Sequence, residues 1–283
     1  MVELIKKIVK SSPLLPFAKW VYRRYRRFIG KRHPLQDVEA SDKYPLMRLG
    51  TEYGGWTFVN EPSLSNSIIV SAGLGEDASF DVEFAKKYDA KVIIVDPTPR
   101  AIKHFKKIKQ SLGEPKKQTY VQGGEQPVSA YNLSNINPSQ LVFIEKALWN
   151  EKTKIEFYKP KVDSHVSHSI TNWPHDYSNE TDSIEVQADT ITSVIDGQDV
   201  DREDIPLVKL DIEGAEIEVI EQMINDNFLP RQILVEFDEL HNPSDKAYRR
   251  VDKTHELLLE NRYSLLYTDG YADFLYFRED ENE

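Results

Sequence analysis

The sequence predicts one α/β domain: a mostly parallel seven-stranded sheet with one antiparallel strand and helices on both faces. Three observations carry that expectation. Ser67 to Pro99 reads as strand, glycine turn, helix, strand and then an acidic residue. Pro206 to Ile224 reads as a buried strand that ends on an acid and runs into a helix. Elsewhere strand-length apolar runs alternate with segments of helical spacing, and such alternation gives a parallel sheet covered on both sides.

Bulk composition bounds the reading. With 283 residues, 40% of them hydrophobic, the chain can fill a large core. It has no cysteine, which excludes disulfides, thiolate zinc sites and a cysteine nucleophile. No run of about 18 apolar residues exists to cross a membrane, and no secretory signal is recognisable, so the expected location is cytoplasmic. The net charge is −11, unevenly spread. Met1 to His33 holds ten Lys and Arg against Glu3 alone, so the remainder is strongly acidic. An acidic body argues against a nucleic-acid partner.

The chain divides at residue 45. Residues 1–33 interleave those cations with Leu, Ile, Trp, Tyr and Phe, and Pro13 and Pro16 split the segment into two helical pieces. Such an arm suits peripheral contact with an anionic membrane; the alternative packs it on the body or on a second copy of the chain in a homo-oligomer. Residues 31–45 read as a linker, and 46–283 as the domain. Leu49 to Leu64 reads as a hairpin in which Trp56 could cap a ligand. Ser67 to Ser71 is a strand, Gly73-Leu74-Gly75 a turn, Asp77 to Tyr88 a helix, and Lys91 to Val95 a buried strand. A helix follows from Arg100 to Leu112, stopped by Gly113 and Pro115. Gln118 to Gln122 and Leu141 to Leu148 are strand-like. Lys154 to Tyr158 and Ser183 to Ala188 alternate as antiparallel strands do. Between them Val162 to Glu180 is a long polar segment, read as a functional lid. Asp189 to Ile195 is a short helix, Gln232 to Phe237 a strand and Ala247 to Glu260 an amphipathic helix. Tyr263 to Tyr267 and Phe274 to Phe277 form a closing antiparallel pair, and Glu279 to Glu283 is an acidic tail.

In such a sheet the ligand lies across the carboxyl ends of the central strands. That rule selects Gly73, Gly75, Glu76, Asp77, Asp96 and Pro97, the residues after Ile144, Asp211 to Glu213, and those after Phe237. The turn lacks the third glycine of a dinucleotide fingerprint. Glu76 and Asp77, which suit a helix N-terminus as caps, would also repel a pyrophosphate and attract a cationic amino group. That favours S-adenosylmethionine over NAD. Asp96 lies 21 residues after Gly75, where a carboxylate can accept ribose hydroxyls. Asp211 would sit beside the reacting centre, with Lys209 on the same side as its alternative ion-pair partner. His165 and His168, with His175, lie on the lid segment and could remove a proton from an acceptor; a metal site joining them to Asp211 lacks a motif. Glu236 and His241 are rival bases.

Leu207-Val208-Lys209-Leu210-Asp211-Ile212-Glu213-Gly214-Ala215-Glu216 resembles the strand-four signature of the FkbM family of S-adenosylmethionine-dependent methyltransferases. Val95-Asp96-Pro97-Thr98-Pro99 resembles the family's acidic-Pro-x-Pro element, and Leu234-Val235-Glu236-Phe237 its fifth strand. Glu145-Lys146-Ala147-Leu148-Trp149 resembles the strand-three end, which implies that Ala147 and Leu148 border the adenine. The similarity covers about Thr51 to Phe277. One departure is Ser71, where the family commonly has an acid opening the glycine motif. The resemblance implies a Rossmann-like class I methyltransferase fold and O-methylation of a hydroxyl on a glycan, glycolipid or related small precursor. Two alternatives stay open: a non-catalytic nucleoside-binding protein, and an NAD-dependent oxidoreductase.

Overall fold

The computed structural model describes residues 32–158, 183–241 and 243–279. The arm up to Lys31, the polar segment with His165, His168 and His175, and the tail beyond Glu279 lie outside the described residues.

In chain order the strands are β1 (Leu46–Leu49), β2 (Trp56–Val59), β3 (Ile68–Ala72), β4 (Lys91–Val95), β5 (Leu141–Ile144), β6 (Ala147–Leu148), β7 (Thr153–Tyr158), β8 (Ser183–Asp189), β9 (Leu207–Leu210), β10 (Gln232–Glu236), β11 (Tyr263–Thr268) and β12 (Asp273–Arg278). The helices are α1 (Ser79–Tyr88), α2 (Pro99–Gln110), α3 (Ile191–Asp196), α4 (Glu216–Asn225) and α5 (Asp245–Glu260). Seven strands form the main sheet in the order β11-β12-β10-β9-β3-β4-β5. All are parallel except β12, which runs against both β10 and β11. The expected mixed sheet is present.

Side-chain alternation along the strands divides the interior into two cores. Ile69, Val92, Ile94, Leu207, Leu234 and Phe277 point to one face and pack with Phe80 and Phe84 of α1 and Phe105 of α2. Val70, Ile93, Val95, Val208, Val235 and Tyr276 point to the other and pack with Val194 of α3, Ile220 of α4 and Val251 of α5. Helix starts follow the sequence signals. Thr98 caps α2 ahead of Pro99, Thr190 caps α3 and Ser244 caps α5. Asp89, in the left-handed region at φ 51°, ends α1. No helix among the described residues is long and apolar enough to cross a membrane.

Three local readings change. Gln118 to Gln122 is not a strand. The Gln126 side-chain amide bonds both the N–H and the C=O of Val121, so a glutamine takes the place of a neighbouring strand. Leu141 to Leu148 splits in two: β5 is the outer edge of the main sheet, while β6 joins β8 and β7 in a separate three-stranded sheet. Residues 32–37, expected as linker, are docked on the domain. Arg32 Nη2 donates to Gly270 O at 2.8 Å, Gln36 Nε2 to Tyr271 O, and His33 is buried beside Asp252.

Gly73, at φ +83°, has a backbone conformation L residues avoid, and a Cβ there would lie 1.7 Å from Asp211 O. Gly75, at φ +56°, has nothing within 4 Å of its Cβ position. Gly73→Ala should therefore destabilise the fold by about 3 kcal/mol or more, and Gly75→Ala by only about 1 kcal/mol. Denaturant titration of the two variants checks the ordering.

Candidate functional site

The site begins where β3 leaves the sheet. Gly73 N–H donates to Val95 O at 3.0 Å and Asp211 N–H to Ala72 O at 3.2 Å, which ties the ends of β3, β4 and β9 together. Asp96 pins the turn from the β4 side. Its Oδ2 accepts Leu74 N–H (2.9 Å) and Gly75 N–H (3.0 Å), and its Oδ1 accepts Thr98 N–H (2.8 Å) and Thr98 Oγ1–H (2.6 Å). A carboxylate offers about four acceptor positions, so protein donors already fill Asp96. The expectation of two oxygens free for ribose hydroxyls differs from this geometry; a sugar would have to displace one of those donors. Pro97 follows, half-buried on the rim. Space is open above Gly75.

The carboxylates after the turn both meet protein groups. Asp77 is buried; its Oδ2 accepts the Thr51 hydroxyl at 2.6 Å and its Oδ1 accepts Ser79 N–H at 2.9 Å. It starts α1 and fastens the β1–β2 loop, which is the capping role rather than a ligand contact. Glu76, half-buried, lies 3.7 Å from Arg100 of α2. The pair therefore carries less of the argument for a cationic amino group than its sequence position implied. Trp56 is also displaced from its expected role. Only 4% exposed, it packs in the core with Lys209 Nζ 5.5 Å from its ring centre. Its neighbour Tyr53 is the exposed aromatic, at 62%, with its ring against Gly124 and its hydroxyl in the field of Asp211, Glu213, Glu236 and Asp77. Residue type could not separate the two rings; the hairpin's facing could.

Opposite the turn, the ends of β9, β10 and β12 bring together four ionisable groups. Asp211 is half-buried, with Oδ2 3.5 Å from Lys209 Nζ. Glu213, at φ 58°, and Gly214, at φ 100°, make the sharp exit from β9. Glu216 holds that exit: its carboxylate accepts Ile212 N–H at 2.7 Å and Gly214 N–H at 2.9 Å. Burial, helped by Asp238 and Glu239, pushes the Glu216 pKa well above the carboxylate range. Glu236 lies across from Asp273 in the β10–β12 register and 3.2 Å from His241 Nε2. Burial first and Asp211 second push Glu236 up to about 8. Burial, Asp269 and Asp211 push Asp273 up to about 7. Burial opposes a charge on His241, but Asp238, 2.9 Å from Nδ1, and Glu236 outweigh it and hold its pKa at about 12. His241 is thus a cation near neutral pH and cannot serve as a base there. Sequence reasoning named Glu236 and His241 as rivals and missed that they are partners.

On the third side, Glu145 is exposed after β5, and Lys146 pairs with Asp189 at 2.8 Å. Ala147 and Leu148 are buried under the small sheet and α3. A groove of about 530 Å³ runs along α2 and the outer edge of β5, lined by Phe105, Phe143 and Lys106. It lies outside the central strand ends.

The rim sets a pH dependence of stability. Glu236 and Asp273 start from 4.5 and 3.8 and are raised by folding. The folded chain keeps those protons longer, so their contribution is greatest at low pH and is lost as pH climbs through about 7 and 8. His241, raised from 6.5, acts in the same direction; its contribution is complete below 6.5 and declines above it. Urea midpoints should therefore fall between about pH 6 and 9, and Glu236→Gln should flatten the slope.

Comparison with known proteins places this geometry. The methyltransferase FkbM domain matches residues 69–265, more than half of the chain. Among solved structures, a Corynebacterium glutamicum protein is 9% identical over 100% of this chain and 99% of its own, with a TM-score of 0.40. A Methanococcus jannaschii fibrillarin, a pre-rRNA processing protein, is 11% identical over 87% of each chain at a TM-score of 0.34. A chain of a fibrillarin/Nop5p complex is 9% identical over 76% of this chain and 73% of its own, at 0.36. These scores are too low to carry an argument. No curated protein matches the chain. The domain match spans both halves of the sheet, from β3 into β11, with the glycine turn, Asp96 and Asp211 inside it, and the chain therefore belongs to the FkbM methyltransferase family.

Proposed function

We propose that the chain transfers a methyl group from S-adenosylmethionine to a hydroxyl of a glycan, glycolipid or related small precursor. The observation that carries the reading is a rigid turn, open above Gly75, facing half-buried carboxylates across the ends of β9 and β10. The chemistry of this rim fits the cofactor. Asp211 and Glu213 suit a cationic amino group, and together with Glu76 they make a poor surround for a pyrophosphate. Gly73, Gly75, the Asp96–Pro97 corner, the backbone at Ala147–Leu148, Asp211 and Glu213 are the residues that would hold it. When bound, it supplies a methyl group on a positively charged sulfur.

The remaining work belongs to the protein. The turn and strand ends fix one reactant, so that rate comes chiefly from proximity and alignment. Acceptor binding falls to the rim of Asp211, Glu236 and Tyr53. Glu236 takes the acceptor's hydroxyl proton, because its raised pKa makes it a stronger base than an ordinary carboxylate. His241 stays protonated beside it and steadies the ionised form. His165 and His168, outside the described residues, are the rival bases. The basic segment before Arg32 makes peripheral contact with an anionic membrane surface, where a glycolipid acceptor would be found.

Three outcomes are expected. S-adenosylhomocysteine should bind the purified chain in calorimetry, while NADH should give no fluorescence change; absence of the first signal overturns the reading. With an acceptor found from a glycan panel, the rate should rise with pH through about 8. Glu236→Gln should remove that limb and cost about 10²-fold or more, whereas a limb that survives points to the histidines. Sedimentation with vesicles containing phosphatidylserine should retain the full chain and lose a variant that starts at Arg32.

A further inference from the structure

A buried ammonium sits directly beneath the glycine turn. Lys209 is 3% exposed, on the face of β9 covered by α1. A lone charge in such a place is costly. Its Nζ donates to Gly73 O at 2.5 Å and to Ala72 O at 3.2 Å, and lies 3.5 Å from Asp211 Oδ2. A buried carboxyl, Asp81, lies in the first turn of α1, the helix that covers this face. Burial raises the Asp81 pKa while Lys209, its largest opposing influence, draws it down. Ser71 pairs with Lys209 in the β3–β9 register and neighbours Asp81. Neither Ser71 Oγ nor Asp81 Oδ1 has a partner at good hydrogen-bond geometry. Asp81 thus has an incomplete set of hydrogen bonds, and Lys209 is the cation that favours its ionised form.

Asp96 takes the amides of the turn and Lys209 takes its carbonyls. Of the two, Lys209 also lies beside the Asp211 carboxylate. We propose that Lys209, with its charge balanced by Asp81, is a positioning residue that locks the Gly73–Gly75 turn and the Asp211 carboxylate into one geometry. The inference rests on the methyltransferase reading and adds a residue that touches neither reactant. The charge can be balanced from either neighbouring element, since Ser71 faces Lys209 from β3 as Asp81 does from α1.

The test uses the full chain, with S-adenosylhomocysteine calorimetry and denaturant titration on each variant. Lys209→Met combined with Asp81→Leu replaces the pair with apolar groups of similar size, an exchange that often preserves stability. The expected result is a folded protein whose affinity falls at least about tenfold. Equal affinity to the unaltered chain would reduce the pair to a structural role and overturn the inference, leaving the function intact. Asp81→Asn should also weaken binding, and adding Ser71→Asp should restore it to within about threefold by returning the counter-charge. Failure of that rescue likewise overturns the inference, even if the apolar pair does not fold. No binding by the unaltered chain would take down the methyltransferase reading and this inference with it.

Discussion

The structure depends on a turn that is held from two sides. The Leu74 and Gly75 amides go to Asp96 at the end of β4, and the Ala72 and Gly73 carbonyls go to Lys209 of β9. Backbone polar groups must be paired wherever water is excluded. Here the partners are charged, and charge-assisted bonds are shorter and stronger than neutral ones. The turn is therefore fixed by strands on both sides of β3 rather than by its own glycines. Gly73 permits the approach to Asp211 O; the two charges define the shape.

That constraint explains why the acids near the turn divide into two kinds. Asp77, Asp96 and Glu216 spend their oxygens on backbone amides and hydroxyls, and each holds a loop. Asp211 and Glu236 keep part of their surface at the rim, and the Asp211 charge adds to burial in raising the cost of ionising Glu236. Seen in sequence, all five are acids at strand ends or helix starts. Seen in space, three are architectural and two stand at the open rim. A cation between two carboxylates, His241, keeps the second group from neutralising itself entirely.

Much of the fold was legible because period-two burial requires it. Val92 and Ile94 go to one core and Ile93 and Val95 to the other, as an unbroken apolar strand covered on both faces must. The closing pair and the caps of α2 and α5 were equally open to reading. What was not legible turned on partners distant in sequence. Gln126 stands in for a strand beside Val121, which no local pattern reveals. Asp96 looks like a ribose ligand by spacing, yet Leu74, Gly75 and Thr98 claim it. Tyr53 and Trp56 differ in exposure only because the hairpin turns one ring out and the other in.

The docking of residues 32–37 against the Gly270–Tyr271 turn bears on the order of assembly. Arg32 meets a carbonyl 238 positions later in the chain, and Lys43 pairs with Glu279 nearly as far on. β12, the last strand among the described residues, is not at the edge but slots between β10 and β11. A chain emerging from its N-terminus cannot close either contact until Gly270 and Glu279 have been made. The large separation also places this clasp among the contacts that carry the highest loop-closure cost. The segment that begins at Arg32 is therefore fastened in the same step that completes the sheet.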